Sequence, residues 1–411
     1  MKILQITHDF LPNPLWGVGY HVNDLIEGLA ESGNDIVVVT RNRFDQPIFK
    51  KIKNIIVFRS PFKLDEDYLV NKKVPFDSYK NPKTLKKFYD EYFGIVLDKL
   101  SEINFQPQVV HNHTWHSFDC AFNIANFYGV PLVSTIHILE TQFKKISIHP
   151  AFEDLDYILR KEREVFLRSD KLVCLSRGIK NDLIKLYPFA REKVTVIESG
   201  IKIQNSFNRS TVQRERRKYL SAKKNQMIIL FVGRLVEEKG VIYLVETIKK
   251  FYQECSKLVF VFAGDGPLKK LLEDNLKGIK NIFFLGKINR EEIFLLYKLA
   301  DILIIPSLTE SCSLVLLEAL GSKVPIITTN NEGVKTLISR KAALIIGLKE
   351  KGEKRFLDIY DIESAISKLS KSLHLRLSLR REAYNIFLKR FDYKIMSSRL
   401  ETLYKRLIIS R

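Results

Sequence analysis

The stretch 304–329, IIPSLTESCSLVLLEALGSKVPIITT, holds the residues whose types and spacing say most about chemistry. Glu310 lies in a polar loop after an apolar, strand-like run, ahead of a helix that Ser311 or Ser313 would cap. Glu318, eight positions on, sits inside LVLLEALG, where a carboxylate among apolar neighbours is costly unless hydrogen-bonded. Hydroxyls of a ribose or hexose would satisfy it, and so would a Lys or Arg of the same domain. Upstream, LFVGRLVEEKG (230–240) ends a strand at Gly233 and sets Arg234 and Lys239 ahead of the next helix. Arg offers a planar fork and Lys a mobile point charge, so at a helix N-terminus the two would clamp a diphosphate; two solvated surface cations are the other reading. Near the start, HDFLPNPLWGVGYHV places Gly17 and Gly19 just before a helix, a turn that lets backbone amides approach a phosphate. As a dinucleotide fingerprint it is incomplete, since Val22 stands where a third glycine belongs. The second strand ends in Thr40-Arg41 where an NAD site wants an acid, which argues against NAD-dependent oxidoreduction.

Other candidates weigh less. Asp65-Glu66-Asp67 spells a D-x-D metal motif, yet it follows RSPFKL rather than a buried strand and reads as an exposed acidic loop. His111, His113 and His116 cross a strand end and loop with only Asp119 as a nearby carboxylate, so a hydrogen-bonded or substrate-facing role for His113 or His116 is favoured over zinc. The basic run ERRKYLSAKK lacks the aromatic platform of a nucleic-acid site. Cys120, Cys174, Cys255 and Cys312 are far apart with no CxxC pair, as in a reduced, cytoplasmic chain without structural zinc.

The elements that must position these residues alternate. Strand candidates are 2–7, 35–40, 54–60, 107–113, 131–137, 171–176 and 193–199, then 227–233, 257–264, 281–286, 301–307 and 324–329. Amphipathic helical patterns lie between them at 20–33, 84–102 and 151–170, then 240–254, 267–277, 291–300, 314–321 and 332–338; residues 361–411 look helical throughout. Continuous apolar strands alternating with helices are the mark of parallel sheets covered on both faces. The 411 residues therefore divide into an α/β domain at 1–200, a second at 201–385 and a closing helix at 386–411, with the polar segment 199–226 read as a linker plus an irregular or short helical piece. Two doubly wound domains facing each other would bind ligands beyond the carboxyl ends of their strands.

With these pieces in order along nearly the whole chain, the sequence resembles a family 4 glycosyltransferase of the GT-B fold. The resemblance rests on GVGYHV with AESGNDIVVVT, VVHNHTWHS, STIH, GRLVEEKG, AGDGPL, FLGKI, the Glu-x7-Glu element ESCSLVLLE, and FDYKIMSSRLETLY, which is similar to a helix returning to the first domain. It implies two facing Rossmann-like domains and a donor that is a nucleotide diphosphate sugar, UDP- or GDP-linked, with no metal and no other cofactor. Gly17 and Gly19 would then approach the diphosphate and Arg234 and Lys239 neutralise it. Glu310 would hold the transferred sugar, the amides of Leu314 and Val315 meet a phosphate, Glu318 bind the ribose, Ile288 lie against the base, and His137 face the sugar near the reacting carbon. Three positions depart from the family pattern. Glu198-Ser199-Gly200 stands where Asn-Gly is usual, Ser313 where Gly is usual, and Gly17-Val18-Gly19 where Gly-Gly is usual.

The resemblance implies retaining transfer to a hydroxyl of a glycan, glycolipid or lipid-linked precursor. A nucleotide-sugar 2-epimerase lacks the Glu-x7-Glu series, a polysaccharide phosphorylase shares the architecture, and a non-catalytic sugar-nucleotide binder would lack the clamp residues, which are present. Residues 1–200 carry 27 Lys+Arg and 25 Asp+Glu, whereas 201–411 carry 40 and 22. Most of that excess lies at 201–225 (8 and 1) and 351–411 (15 and 7), away from the clamp. It therefore reads as attraction to an anionic surface, such as the inner face of a membrane, rather than as substrate binding or nucleic-acid recognition. No run approaches the length of a membrane-spanning helix.

Overall fold

Short runs of β-branched and aromatic residues form the strands, and those in the middle of each large sheet are buried along all or nearly all of their length because helices cover both faces. In a computed structural model, the described residues are all of 1–411 except 13, 15–16, 43–45, 64–81, 141–154, 205–206, 220–225, 252, 254–256, 311–312 and 353. The side chains of 61–63, 82–91, 155, 209, 219 and 332 are also outside the description. The chain forms two units, Met1–Gly200 with Tyr393–Arg411, and Ile201–Asp392.

The first unit is built on strands β1 (Lys2–Ile6), β2 (Asp35–Asn42), β3 (Phe49–Ile52), β4 (Ile55–Lys63), β5 (Val109–Asn112), β6 (Leu132–Ile136), β7 (Lys171–Cys174) and β8 (Val194–Val196). They form one sheet in the order β3-β4-β2-β1-β5-β6-β7-β8. All neighbours are parallel except β3, which pairs antiparallel with β4. Its four residues, FKKI, are all exposed, which is why no apolar pattern announces it. The register sets Ile3 beside Ile36 on one side and Val109 on the other. Along the helix Tyr393–Ile409, Met396, Leu400 and Tyr404 join Ile3, Val22, Leu25 and Val109 in the core of this unit. Gly28 allows the contact, since a Cβ there would stand 2.1 Å from Ser397 Oγ.

The second unit carries β9 (Met227–Val232), β10 (Leu258–Ala263), β11 (Ile282–Gly286), β12 (Ile302–Ile305), β13 (Ile326–Thr329) and β14 (Leu344–Ile346), with a separate hairpin β15 (Lys349–Lys351) and β16 (Lys354–Phe356). The six-stranded sheet is parallel, in the order β11-β10-β9-β12-β13-β14. Side chains cap its helices: Ser313 accepts from the amide of Leu316, and Asn289 forms a capping box with Glu292.

One boundary differs from the sequence reading. The closing segment begins at Tyr393, not at 386, because the helix Leu373–Arg390 keeps Ala383 and Phe387 in the core of the second unit, with Phe391 after it. The helical piece expected in the polar segment after 200 is Arg209–Tyr219, tied to the second unit by Arg216, which donates to Leu299 O at 2.7 Å and to Asp301 Oδ2 at 2.5 Å. Gly17 and Gly19 lie within the first turn of the helix Gly17–Glu31 rather than ahead of it.

Candidate active site

In the second unit the strand order reverses between β9 and β12, whose helices therefore lie on opposite faces and leave their carboxyl ends open. The loops after these two strands carry Arg234, Lys239 and Glu310. Lys239 Nζ donates to Glu310 Oε1 at 2.6 Å, and Ser307 Oγ donates to the same oxygen at 2.9 Å. Arg234 pairs with Glu238 at 2.8 Å. The loops are locked together by the amide of Leu308, which donates to Glu238 O at 2.9 Å, and by Gly240. Gly240 has φ 64°, and a Cβ there would stand 1.9 Å from Pro306 O. Beneath them, Ser307 O accepts from Thr329 Oγ1 at 2.6 Å and from Asn331 Nδ2 at 3.2 Å.

Leu314 and Val315 open the helix Leu314–Ser322, where first-turn amides have no acceptor within the helix. Both are partly buried against the core, as is Ile288 after β11. Glu318 is buried, and two of its partners come from its own unit. Tyr297 Oη donates to Oε2 at 3.0 Å, and Arg290 Nε stands 3.7 Å from Oε1. Burial and the Glu318 charge hold the Tyr297 phenol well above its ordinary value. The same-domain cation that the sequence left open is therefore present.

The reversal in the first unit falls between β1 and β5. Gly17 is exposed and Gly19 buried, and a Cβ at Gly19 would meet Pro14 Cβ at 2.5 Å, so close packing of the preceding loop already requires that glycine. His137 follows β6, with Nε2 3.4 Å from His113 Nδ1. His21, which sequence spacing did not single out, lies 5.0 Å from His137 between ring centroids and shares a 2.7 Å hydrogen bond with Ser199 Oγ. The family departure at Ser199 thus has a local partner, and Glu198 reaches Arg399 at 3.7 Å. His111 bonds Tyr404 Oη through Nδ1 and Thr135 Oγ1 through Nε2 at 2.7 Å. Burial lowers the His21 imidazole to about 4 and His111 to about 3, and holds His113 and His137 well below the ordinary histidine value. His116 lies apart from this group, stacked on Trp115 and His8. Asp119 is held by Lys161 at 2.8 Å. Asp65-Glu66-Asp67, Ser311, Cys255 and Cys312 lie outside the described residues.

A buried acid pair, also missed in the sequence, follows His137. Glu140 accepts from Trp115 Nε1 at 3.0 Å, and its amide donates to Glu162 Oε2 at 2.5 Å. Burial, with Glu162 alongside, pushes the Glu140 carboxyl up to about 8. Among the described residues, no helix is long and apolar enough to cross a membrane.

Residues 16–205 match the family model described as Glycosyltransferase Family 4, and residues 212–388 match the model described as Glycosyl transferases group 1. An uncharacterized glycosyltransferase of Methanocaldococcus jannaschii is 26% identical over 351 residues, covering 83% of each chain. The alpha-monoglucosyldiacylglycerol synthase of Acholeplasma laidlawii is 24% identical, covering 99% of this chain and 98% of its own. Among solved structures, the sucrose-phosphate synthase of Thermosynechococcus elongatus superposes with a TM-score of 0.79 at 17% identity, covering 100% of both chains.

Proposed function

Because the chain belongs to the family 4 glycosyltransferases, enzymes of the GT-B fold that transfer sugars from nucleotide donors, we propose that it moves a hexosyl group from a UDP- or GDP-sugar to a hydroxyl acceptor with retention of configuration. The observation that carries this reading is the Lys239–Glu310 pair at the reversal of strand order in the second unit, with Arg234 on the same loop as Lys239. The chemical demand is to stabilise negative charge on the departing diphosphate. Arg234, Lys239 and the first-turn helix amides of Leu314 and Val315 supply cationic and dipolar groups for that charge without a metal ion. Glu310 neutralises Lys239. When a donor is bound, the sugar hydroxyls take over Glu310 and the diphosphate takes over Lys239, so each residue exchanges one partner for another and no buried charge is stranded.

Glu318, which accepts from Tyr297 and lies 3.7 Å from Arg290, is the carboxylate we assign to the ribose, with Ile288 beside the base. Gly17 and Gly19 contribute helix N-terminal amides to the diphosphate. His137, kept neutral by burial, faces the transferred sugar as a hydrogen-bonding group rather than a cation. The bond to the leaving phosphate breaks on the face where the acceptor oxygen attacks, and a phosphate oxygen accepts the acceptor's proton.

For the acceptor we favour a lipid-linked or glycolipid hydroxyl at the inner face of a membrane. Two things support this: the relative from Acholeplasma is by its name a synthase of a glycolipid, monoglucosyldiacylglycerol, and the second unit gathers like charges. Lys298 is lowered first by burial and then by Lys323 and Arg380, a crowding of cations that an anionic surface would relieve.

The test is transfer from a panel of UDP- and GDP-sugars by the wild type and by Lys239→Ala and Glu310→Ala. Each variant should lose at least about 100-fold in rate, the order seen when one charge-stabilising group is removed, with its melting profile intact. Near-native turnover in both variants would refute the assignment, and donor binding without turnover in the wild type would make the protein a binder.

A further inference from the structure

Three histidines distant in sequence meet in the first unit: His21 on the helix Gly17–Glu31, His113 just past β5 and His137 just past β6. One imidazole nitrogen of each lies within 4.8 Å of the other two, and the His113–His137 pair is at 3.4 Å. Two nitrogens on one tetrahedral zinc ion, each bonded at about 2.0–2.1 Å, are about 3.4 Å apart. That pair already has the spacing, and the third ring needs to close by no more than about 1.4 Å to match the same geometry.

The opposite ring nitrogens are held in the way that orients metal-binding imidazoles. His21 Nδ1 meets Ser199 Oγ at 2.7 Å, and His113 Nε2 meets Gln5 Oε1 at 2.8 Å. The Gln5 oxygen only accepts, so His113 Nε2 carries the proton and Nδ1 turns its lone pair toward His137. A plain hydrogen bond from His137 Nε2 would account for that pair. It leaves out His21, whose Nε2 is fully buried without a hydrogen-bond partner among the described residues, an arrangement that normally costs stability. Burial also keeps all three rings neutral at physiological pH, with their lone pairs free to bind a cation.

We infer that His21, His113 and His137 form a site for a borderline-soft divalent cation, zinc fitting best, and that its occupation blocks sugar transfer. Three imidazoles with an open fourth position are a donor set zinc takes, whereas Mg2+ and Ca2+ prefer oxygen ligands. A bound cation holds the His137 nitrogen that would otherwise contact the donor sugar. The binding half of the inference stands on the geometry alone; the inhibitory half rests on the donor-facing role proposed for His137.

The test uses the whole protein, stripped of metal. It is titrated with Co2+, whose absorption reports tetrahedral coordination, and with Zn2+ in competition with a chromophoric chelator. One equivalent of Co2+ should develop the tetrahedral spectrum in the wild type. His21→Gln and His137→Gln should abolish it and weaken Zn2+ binding by more than roughly 100-fold, because removing a partner behind a ligand already costs about 10–100-fold. Ser199→Ala leaves all three rings in place and should fall within that smaller range. Mg2+ should not compete. No saturable Zn2+ binding in the wild type, or binding unchanged in both histidine variants, overturns the site. In transfer assays, Zn2+ should inhibit the wild type and spare His21→Gln, each compared with its own metal-free rate. Zn2+ bound at the three histidines with transfer undiminished overturns the inhibitory role and the placement of His137 beside the donor, while the site itself stands.

Discussion

Replacing Gly240 with Ala should uncouple the two loops that carry Lys239 and Glu310. The substitution has two separable costs. At φ 64° a side chain is strained by about 1–2 kcal/mol. The new Cβ would also start 1.9 Å from Pro306 O, where real Cβ atoms essentially never come within 3.0 Å, so the carbonyl must retreat by more than an ångström. Forced repacking of this kind costs about 1–3 kcal/mol, for a total of about 2–5 kcal/mol. In a folding unit of about 150–250 residues each kcal/mol moves Tm by about 2–4 °C, which predicts a fall of about 4–20 °C. Gly278→Ala is the control. Gly278 has φ 85° with nothing within 4 Å of a built Cβ, so only the strain applies, and its Tm should fall by about 2–8 °C. A retreat of Pro306 also pulls Ser307 and Leu308, and with them Glu310, away from Lys239. Calorimetric melts with and without a nucleotide sugar should therefore show ligand stabilisation lost in Gly240→Ala and kept in Gly278→Ala. Equal losses of Tm in the two variants, or an undiminished ligand shift in Gly240→Ala, would refute the argument that this close approach holds the site.

Glu140 should make the first unit less stable in base. Its carboxyl is raised from 4.5 to about 8, so its contribution is fully present below about pH 4.5 and gone once pH passes about 8. Glu140→Gln should show a flatter fall of Tm across that window, and a slope unchanged from the wild type would count against the assignment. Tyr297→Phe removes the hydroxyl that Glu318 accepts from and should cost about 1.5–3 kcal/mol, the range for a hydrogen bond to a charged group, read as a lower denaturation midpoint. Cys174 is buried with its thiol pushed up to about 12, so peptide mapping after alkylation should find it unmodified in the native protein and modified in denaturant.

The alternation of strands and helices is legible because both faces of each sheet are buried, which makes LVFVFA at 258–263 a continuous apolar run. Arg234, Lys239 and Glu310 are legible for a related reason, since each follows a strand whose carboxyl end opens on the reversal of strand order. What stays hidden depends on distance along the chain. The Lys239–Glu310 pair spans 71 positions and the His21–Ser199 pair 178, and no local spacing reports either. The helix Arg209–Tyr219 is nearly all polar, held by Arg216 rather than by an apolar stripe. The helical pattern of 361–411 conceals two breaks, one where Ser372 caps the helix Leu373–Arg390 and one at Phe391-Asp392, where the backbone passes from one unit to the other.

The helix Tyr393–Ile409 has a consequence for how the molecule is made. Tyr404 is fully buried in the first unit, where its hydroxyl meets Gln5 and His111, yet it is translated only after the whole of Ile201–Asp392. At ribosomal speeds of about 5–20 residues per second, some 190 intervening residues take about 10–40 seconds. Throughout that interval the nascent first unit has its sheet but lacks the side chains that cover Ile3, Val22 and Val109 and satisfy the buried end of β5. The second unit, contiguous in sequence, has no such wait. The half of the protein that leaves the ribosome first is therefore the half that finishes folding last, and in a crowded cell it is the half that most needs shielding by chaperones.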